Sequence, residues 1–207
     1  MATRSAQLFV ISAPSGAGKT SLVQALVGST EFITISVSHT TRGVRPGECD
    51  GVDYFFIDPK TFDGMIARAE FIEHAQVFGN LYGTSRGAVD HALRAGHDVV
   101  LEIDWQGARR IRALYPHATT IFIVPPSIGE LQKRLELRGE DPPPVIERRM
   151  HEARAEMSHY AEYEYLIVND VFAQALDDLR AIVRAVRLSQ RAQIVAQAAV
   201  LHELVAS

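Results

Sequence analysis

The chain has 207 residues, enough for one domain, or for one core with smaller lobes inserted in it, and enough to bury a sizeable core without disulfides. Its 47% hydrophobic and 22% charged residues are ordinary for a globular protein, and a formal net charge of -4 argues against a general nucleic-acid binder. The single cysteine, Cys49, excludes an intrachain disulfide and a thiolate metal cluster. Met1 to Gln7 carries one Arg and no long apolar run. No stretch approaches the ~18 consecutive apolar residues of a membrane span. No membrane partner is expected, and a reducing cytoplasmic location is.

Leu8-Phe9-Val10-Ile11 reads as a buried strand entering a Gly-rich turn. Ser21 to Val27 follows with Leu22, Val23, Leu26 and Val27 at helical spacing, and Gly28 reads as its stop. Residues 33 to 83 change character. Ile33 to Val37 alternates, Tyr54 to Ile57 is short and aromatic, and Phe71 to Val77 is extended, with Gly and Pro between them. Asp58-Pro59 opens one helix within this stretch, as a cap followed by proline at the first helical position. Beyond it, helical segments (about Ser85 to Ala95, Gln106 to Leu114, Ser127 to Leu137) alternate with the apolar runs Val99 to Ile103, Ile121 to Val124 and Tyr165 to Val168. That order predicts a parallel sheet covered by helices on both faces. Gly139 to Pro144 contains a proline triplet that a regular helix does not accommodate. From Phe172 onward the chain is helical in character. Residues 188 to 207, with Ile194, Val195, Val200, Leu201, Leu204 and Val205, either dock on the same chain or pack in a homo-oligomer.

The strongest chemical signal is Ala13-Pro14-Ser15-Gly16-Ala17-Gly18-Lys19-Thr20. It matches the phosphate-loop pattern G-x-x-x-x-G-K-[ST], with Ala13 in place of the first glycine. Glycines let backbone N–H groups turn toward phosphate oxygens, and the helix that follows adds its positive end. Lys19 is placed to reach the β- and γ-phosphates of a nucleoside triphosphate, and the Thr20 hydroxyl to ligand Mg²⁺. The strand ending in Glu102-Ile103-Asp104 carries carboxylates of the kind that accompany such a magnesium ion. Arg42 and Arg45 stand three residues apart in a constrained loop. Each guanidinium can fork a phosphate, though a pair of solvated surface arginines would read the same way. Tyr54 and Tyr82 could add hydroxyl donors.

Taken together, Ser12 to Lys19, Ser36 to Arg45, Phe71-Ile72-Glu73, Tyr82-Gly83-Thr84-Ser85, Asp104-Trp105-Gln106-Gly107 and Ile167-Val168-Asn169-Asp170 resemble guanylate kinase of the bacterial type, over roughly residues 8 to 187. The resemblance implies an α/β phosphate-loop NTPase core (1–32, 84–137 and 151–207), a parallel sheet flanked by helices. It also implies an inserted, mostly β GMP-binding lobe (33–83) and a short lid (138–150). It implies transfer of the γ-phosphoryl group of ATP to GMP, with Mg²⁺. Residues 13 to 20 and Asn169 would hold ATP. Arg42, Arg45, Tyr54 and Tyr82 would hold the GMP phosphate, and Ser38, Glu73 and Thr84 would meet the guanine. Thr84 stands where other members carry Ser. Glu102 stands where Asp is also found, which leaves open how Glu102 and Asp104 divide guanine contact from the magnesium side. Arg134, Arg138 and Arg149 resemble lid arginines that meet the triphosphate on closure. With Lys19 and Arg42 they would form the catalytic set.

Guanine offers two adjacent donors, N1–H and the 2-amino group, which a carboxylate such as Glu73 accepts together. Two competing readings remain: a binding module of this fold without catalysis, and a kinase for a phosphorylated sugar. Retained Lys19, Thr20, Arg42 and Arg45 weigh against the first, and Glu73 with Ser38 against the second. The eight histidines show no metal-ligand spacing.

Overall fold

The computed structural model describes residues 5–77, 79–137 and 143–206. Strand β1 (Leu8–Ser12) is buried along its whole length. Helix α1 (Lys19–Ser29) buries Leu22, Val23 and Leu26. It runs through Gly28 and ends when Thr30 turns extended, so Gly28 is not its stop. Strands β2 (Ile33–Ile35), β3 (His39–Thr40) and β4 (Phe55–Phe56) are short. Helix α2 (Pro59–Ala67) is capped by Asp58, whose side chain accepts the Thr61 N–H. Strands β5 (Phe71–Val77) and β6 (Asn80–Ser85) lead into α3 (Arg86–Arg94), capped by Ser85. Then come β7 (Asp98–Glu102), α4 (Trp105–Leu114), β8 (Thr119–Val124) and α5 (Ile128–Leu137). The described chain resumes in α6 (Pro143–Met157) and continues with β9 (Tyr165–Val168) and α7 (Phe172–Arg187). It closes with α8 (Gln190–Ala196) and α9 (Ala198–Val205).

A five-stranded sheet, ordered β2-β7-β1-β8-β9, is parallel throughout. Parallel strands need crossovers, and the helices supply them on both faces. The alternation along β1 assigns the faces. Phe9 and Ile11 join Leu22, Leu26, Leu179 and Val183 from α1 and α7. Leu8 and Val10 join Val89 and Ile111 from α3 and α4. A second, four-stranded sheet is ordered β4-β3-β6-β5 and includes antiparallel pairs. Phe62 of α2 is fully buried and packs against Phe71 of β5, with ring centroids 4.6 Å apart.

Two boundaries differ from the sequence reading. Ile33–Ile35, expected in the inserted lobe, pairs with β7 and forms the edge of the parallel sheet. Its apolar residue Ile33 completes the core against α1, which decides the matter over its alternating pattern. The proline triplet does not exclude a helix over all of its length, because α6 begins at Pro143-Pro144. Proline is tolerated in a first turn, where the missing N–H would have no partner anyway.

Candidate active site

The phosphate loop follows from β1 and leads straight into α1, so its N–H groups share the positive end of that helix. Gly16 (φ +91°) and Gly18 (φ +87°) take the left-handed conformation that the turn requires. Among described non-glycine residues only Phe32 and Ala69 have positive φ. Ala13 therefore occupies its place without strain. A Cβ on Gly18 would lie 2.5 Å from Asn169 Nδ2, so the loop leaves no room for a side chain there. Asn169 is buried, and its Nδ2 donates to the Ala17 carbonyl at 2.7 Å. Arg134 of α5 donates through Nη2 to the Asn169 carbonyl at 3.0 Å. Gly18, Asn169 and Arg134 line an open cleft of about 420 Å³ with Gly16, Leu137 and Phe172.

Glu102, at the end of β7, accepts a hydrogen bond from the Thr20 hydroxyl, and the same carboxylate oxygen lies 3.9 Å from Lys19 Nζ. Asp104 instead caps α4, accepting the Gly107 N–H at 2.7 Å. Glu102 thus contacts the phosphate loop through Thr20, while the charge of Asp104 raises the carboxyls of both Glu73 and Glu156.

Arg42 follows β3 and gathers the lobe's polar aromatic corner. Its guanidinium lies 5.3 Å from the Tyr54 ring centre, and the Tyr54 and Tyr82 rings are 5.9 Å apart. Burial, with the charge of Glu102 second, pushes the Tyr54 hydroxyl up to about 12, so it remains a donor. Arg45 is exposed. Glu48 ties the two arginine positions together: it accepts from Arg42 Nη2 at 2.7 Å and from the Arg45 N–H at 2.9 Å. Sequence reading missed Glu48, although a signal was present. Pro46-Gly47 makes a tight turn, closed by the Glu48 N–H on the Arg45 carbonyl at 3.1 Å, with Gly47 at φ +85°. The turn carries Glu48 back to the arginines.

Glu73 (β5) and Thr84 (β6) are register partners across an antiparallel pair. The Thr84 hydroxyl donates to Glu73 Oε1 at 2.6 Å, and both residues are buried. Burial pushes the Glu73 carboxyl up to about 7. Gly107 was also missed as a site residue: a Cβ there would stand 2.8 Å from Glu73 Oε2, so a side chain at this point of α4 would have to push the carboxylate aside. Ser38 lies just before β3 and is half-buried. Arg149 is half-buried on α6. Arg138 falls outside the described residues, as does the start of the expected lid.

The architecture agrees with what known proteins show. The sequence profile described as guanylate kinase matches residues 5–186. The chain belongs to the guanylate kinase family. The guanylate kinase of Pseudomonas syringae pv. syringae (strain B728a) is 55% identical, covering 96% of this chain and 97% of its own. That of Alkalilimnicola ehrlichii is 60% identical over 87% of this chain and 89% of its own. The crystal structure of guanylate kinase from Anaplasma phagocytophilum superimposes with a TM-score of 0.76 at 35% identity, covering 92% of this chain and 90% of that one. Among the described residues no helix is long and apolar enough to cross a membrane.

Proposed function

We infer that this guanylate kinase family member transfers the γ-phosphoryl group of ATP to the phosphate of GMP, giving ADP and GDP, and so recycles GMP in purine nucleotide metabolism. The observation that carries this reading is Glu73: a buried carboxylate held by Thr84, with Asp104 near it and the Arg42–Tyr54–Tyr82 corner in the same lobe. A carboxylate so placed suits the paired donors of guanine. Adenine, with an acceptor at N1 and no 2-amino group, would bring it no donor beyond Thr84, at a cost of order 1–3 kcal/mol.

The acceptor oxygen belongs to a phosphate that is largely ionised near neutrality, its second pKa being about 6. The transfer therefore needs no general base. It needs two nucleotides held in line and negative charge met by cations. In this reading residues 13 to 20 cradle the ATP phosphates, with Lys19 on the transferred group. The cleft beside Asn169 takes the adenine. Arg42, Arg45, Tyr54 and Tyr82 hold the GMP phosphate, and Ser38, Glu73, Thr84 and Asp104 meet its base. Arg134, Arg138 and Arg149 close on the triphosphate as the lid (138–150) and the lobe fold over the site and exclude water. The Thr20 hydroxyl and Glu102, already in contact, are the residues that would hold a Mg²⁺ bound with ATP. Such an ion would offset charge on the β- and γ-phosphates. A cytoplasmic location, and a homo-oligomer formed through α9, whose Val200, Leu201, Leu204 and Val205 are exposed, complete the reading.

The test is ADP release from ATP and Mg²⁺ with GMP, AMP, UMP, CMP and ribose 1,5-bisphosphate in parallel. Turnover with GMP, and less than about a hundredth of it with the others, is expected from one unmatched buried carboxylate. Folded protein that binds GMP without turnover would make the chain a binding module instead.

A further inference from the structure

Glu156 lies in the last turn of α6, and its Oε2 accepts the backbone N–H of Ser15 at 3.2 Å. Ser15 belongs to the phosphate loop, whose N–H groups are arranged to receive anionic oxygens. A carboxylate oxygen offers such an N–H much the same charge and lone pairs as a phosphate oxygen does. Burial is the largest influence on this carboxyl and raises it above the usual range. The charges of Asp104 and Glu152 act in the same direction, while Lys19 and the Ser15 N–H oppose them. Glu152, one turn earlier on α6, has a buried Oε2 with no hydrogen-bond partner among the described residues. A carboxylate thus stands on a loop meant for a polyanion, with a second one near it whose other oxygen lies 3.7 Å from Arg148 Nε, and a transfer that needs no base has no use for either.

The same helix is packed to the loop from behind. Ala153, Ile146, Met150 and Met157 of α6 pack with Leu131 and Leu135 of α5. Those two leucines also close against Gly16, where a Cβ would come within 2.9 Å of Leu131 Cδ1.

We propose that Glu156 is an internal anion that occupies the phosphate loop at Ser15 in the nucleotide-free protein. The triphosphate of ATP displaces it, and its release couples nucleotide binding to the end of the helix that carries Arg149. This rests on the phosphate loop being the ATP site. A purely structural brace predicts the opposite sign, because removing a brace loosens the loop and weakens nucleotide binding.

The experiment is calorimetric titration of the full chain with the Mg²⁺ complex of the non-hydrolysable ATP analogue AMP-PNP. Wild type, Glu156→Gln, Glu156→Ala, Glu152→Gln and Lys19→Ala are compared, each first checked for a cooperative thermal transition. A charge-assisted hydrogen bond that must be broken predicts about tenfold tighter binding for Glu156→Ala, and an intermediate gain for Glu156→Gln, which keeps a neutral acceptor. Glu152→Gln removes the same charge without the Ser15 contact and should gain less than about twofold at the effective dielectric of such a site. Hydrogen exchange gives a second readout. The last turn of α6 should exchange faster when AMP-PNP is added to wild type, and should already be fast in Glu156→Ala before addition. Glu156 variants that bind no tighter, or a gain from Glu152→Gln equal to theirs, overturn the proposal while leaving the ATP site intact. Equal binding by wild type and Lys19→Ala would remove the ATP site from the loop, and the proposal with it.

Discussion

Glu73 shows how a single residue ties burial to substrate choice. Its carboxyl is ordinarily near 4.5 and is pushed up to about 7, by burial first and then by the charge of Asp104, while Thr84 and Arg110 oppose the rise. The folded protein therefore holds a proton there that the unfolded chain has released. This group favours folding most at pH below about 4.5 and loses that contribution as pH rises through about 7. Guanine needs the ionised form, since both of its donors point at the carboxylate. GMP binding at pH 6.5 should thus release a fraction of a proton from Glu73, measured by calorimetry in two buffers of different ionisation enthalpy. Glu73→Gln should lose that release and lower kcat/KM for GMP by about 100-fold, the worth of a mismatched buried hydrogen bond at the upper end of its range. Equal proton release by the variant would take Glu73 away from the guanine. The identity of this residue was legible only through the resemblance; in isolation it reads as one polar residue on a strand. Its partner Thr84 and its neighbour Gly107 needed the register of β5 with β6 and the approach of α4.

At the scale of elements, the phosphate loop is a turn held between β1, α1 and the amide of Asn169, which comes from the far end of the chain. Gly18→Ala places a methyl 2.5 Å from that amide at a φ of +87°. Two costs add there: left-handed backbone for a residue with a Cβ, and displacement of Asn169 from the Ala17 carbonyl. We expect a loss of about 2–4 kcal/mol in urea unfolding, together with weakened ATP binding. Ala13→Gly, at a position with no positive φ, should change ATP affinity by less than about twofold, since it only adds freedom to the unfolded chain. Tight ATP binding by Gly18→Ala would show that the loop can re-form without its back wall. The loop itself was readable from spacing alone, because glycine, lysine and threonine there answer a local demand. Its bracing by Asn169, 152 residues away, was not. The helices and buried strands were legible too, within a residue or two at most ends. Apolar spacing reports burial directly. It did not report which sheet Ile33–Ile35 would join, because a short alternating run suits either.

At the scale of the whole molecule, helix α7 is tied by its last residue to the interior of the parallel sheet. Asp98 is fully buried at the start of β7; it accepts the Gln7 N–H at 2.8 Å and Arg187 Nε at 2.7 Å. Arg187 ends α7, so the ion pair fixes that helix to two strands. Arg187→Ala should remove the arginine that pairs with a buried carboxylate. With the Gln7 N–H still in place, the loss should be about 2–3 kcal/mol in urea, toward the lower end for a broken buried pair. The larger part of it should disappear in Arg187→Ala with Asp98→Asn, where the buried charge is gone. A single-variant loss below about 0.5 kcal/mol would mean that the pair behaves as a surface contact.

Sequence by itself determined the chemistry of the phosphate loop, the alternation of strands and helices, and the family, because each depends on residues close together in the chain or on a pattern of motifs in order. Tertiary structure alone decided the strand order β2-β7-β1-β8-β9, the different hydrogen-bond partners of Glu102 and Asp104, the clasp of Glu48 on Arg42, and the contact of Glu156 with the loop. These join residues that no spacing rule relates, apart from the turn that returns Glu48 to its arginines. A carboxylate's role is set by which cation, hydroxyl or N–H the folded chain brings to it, and that is settled only when the elements pack.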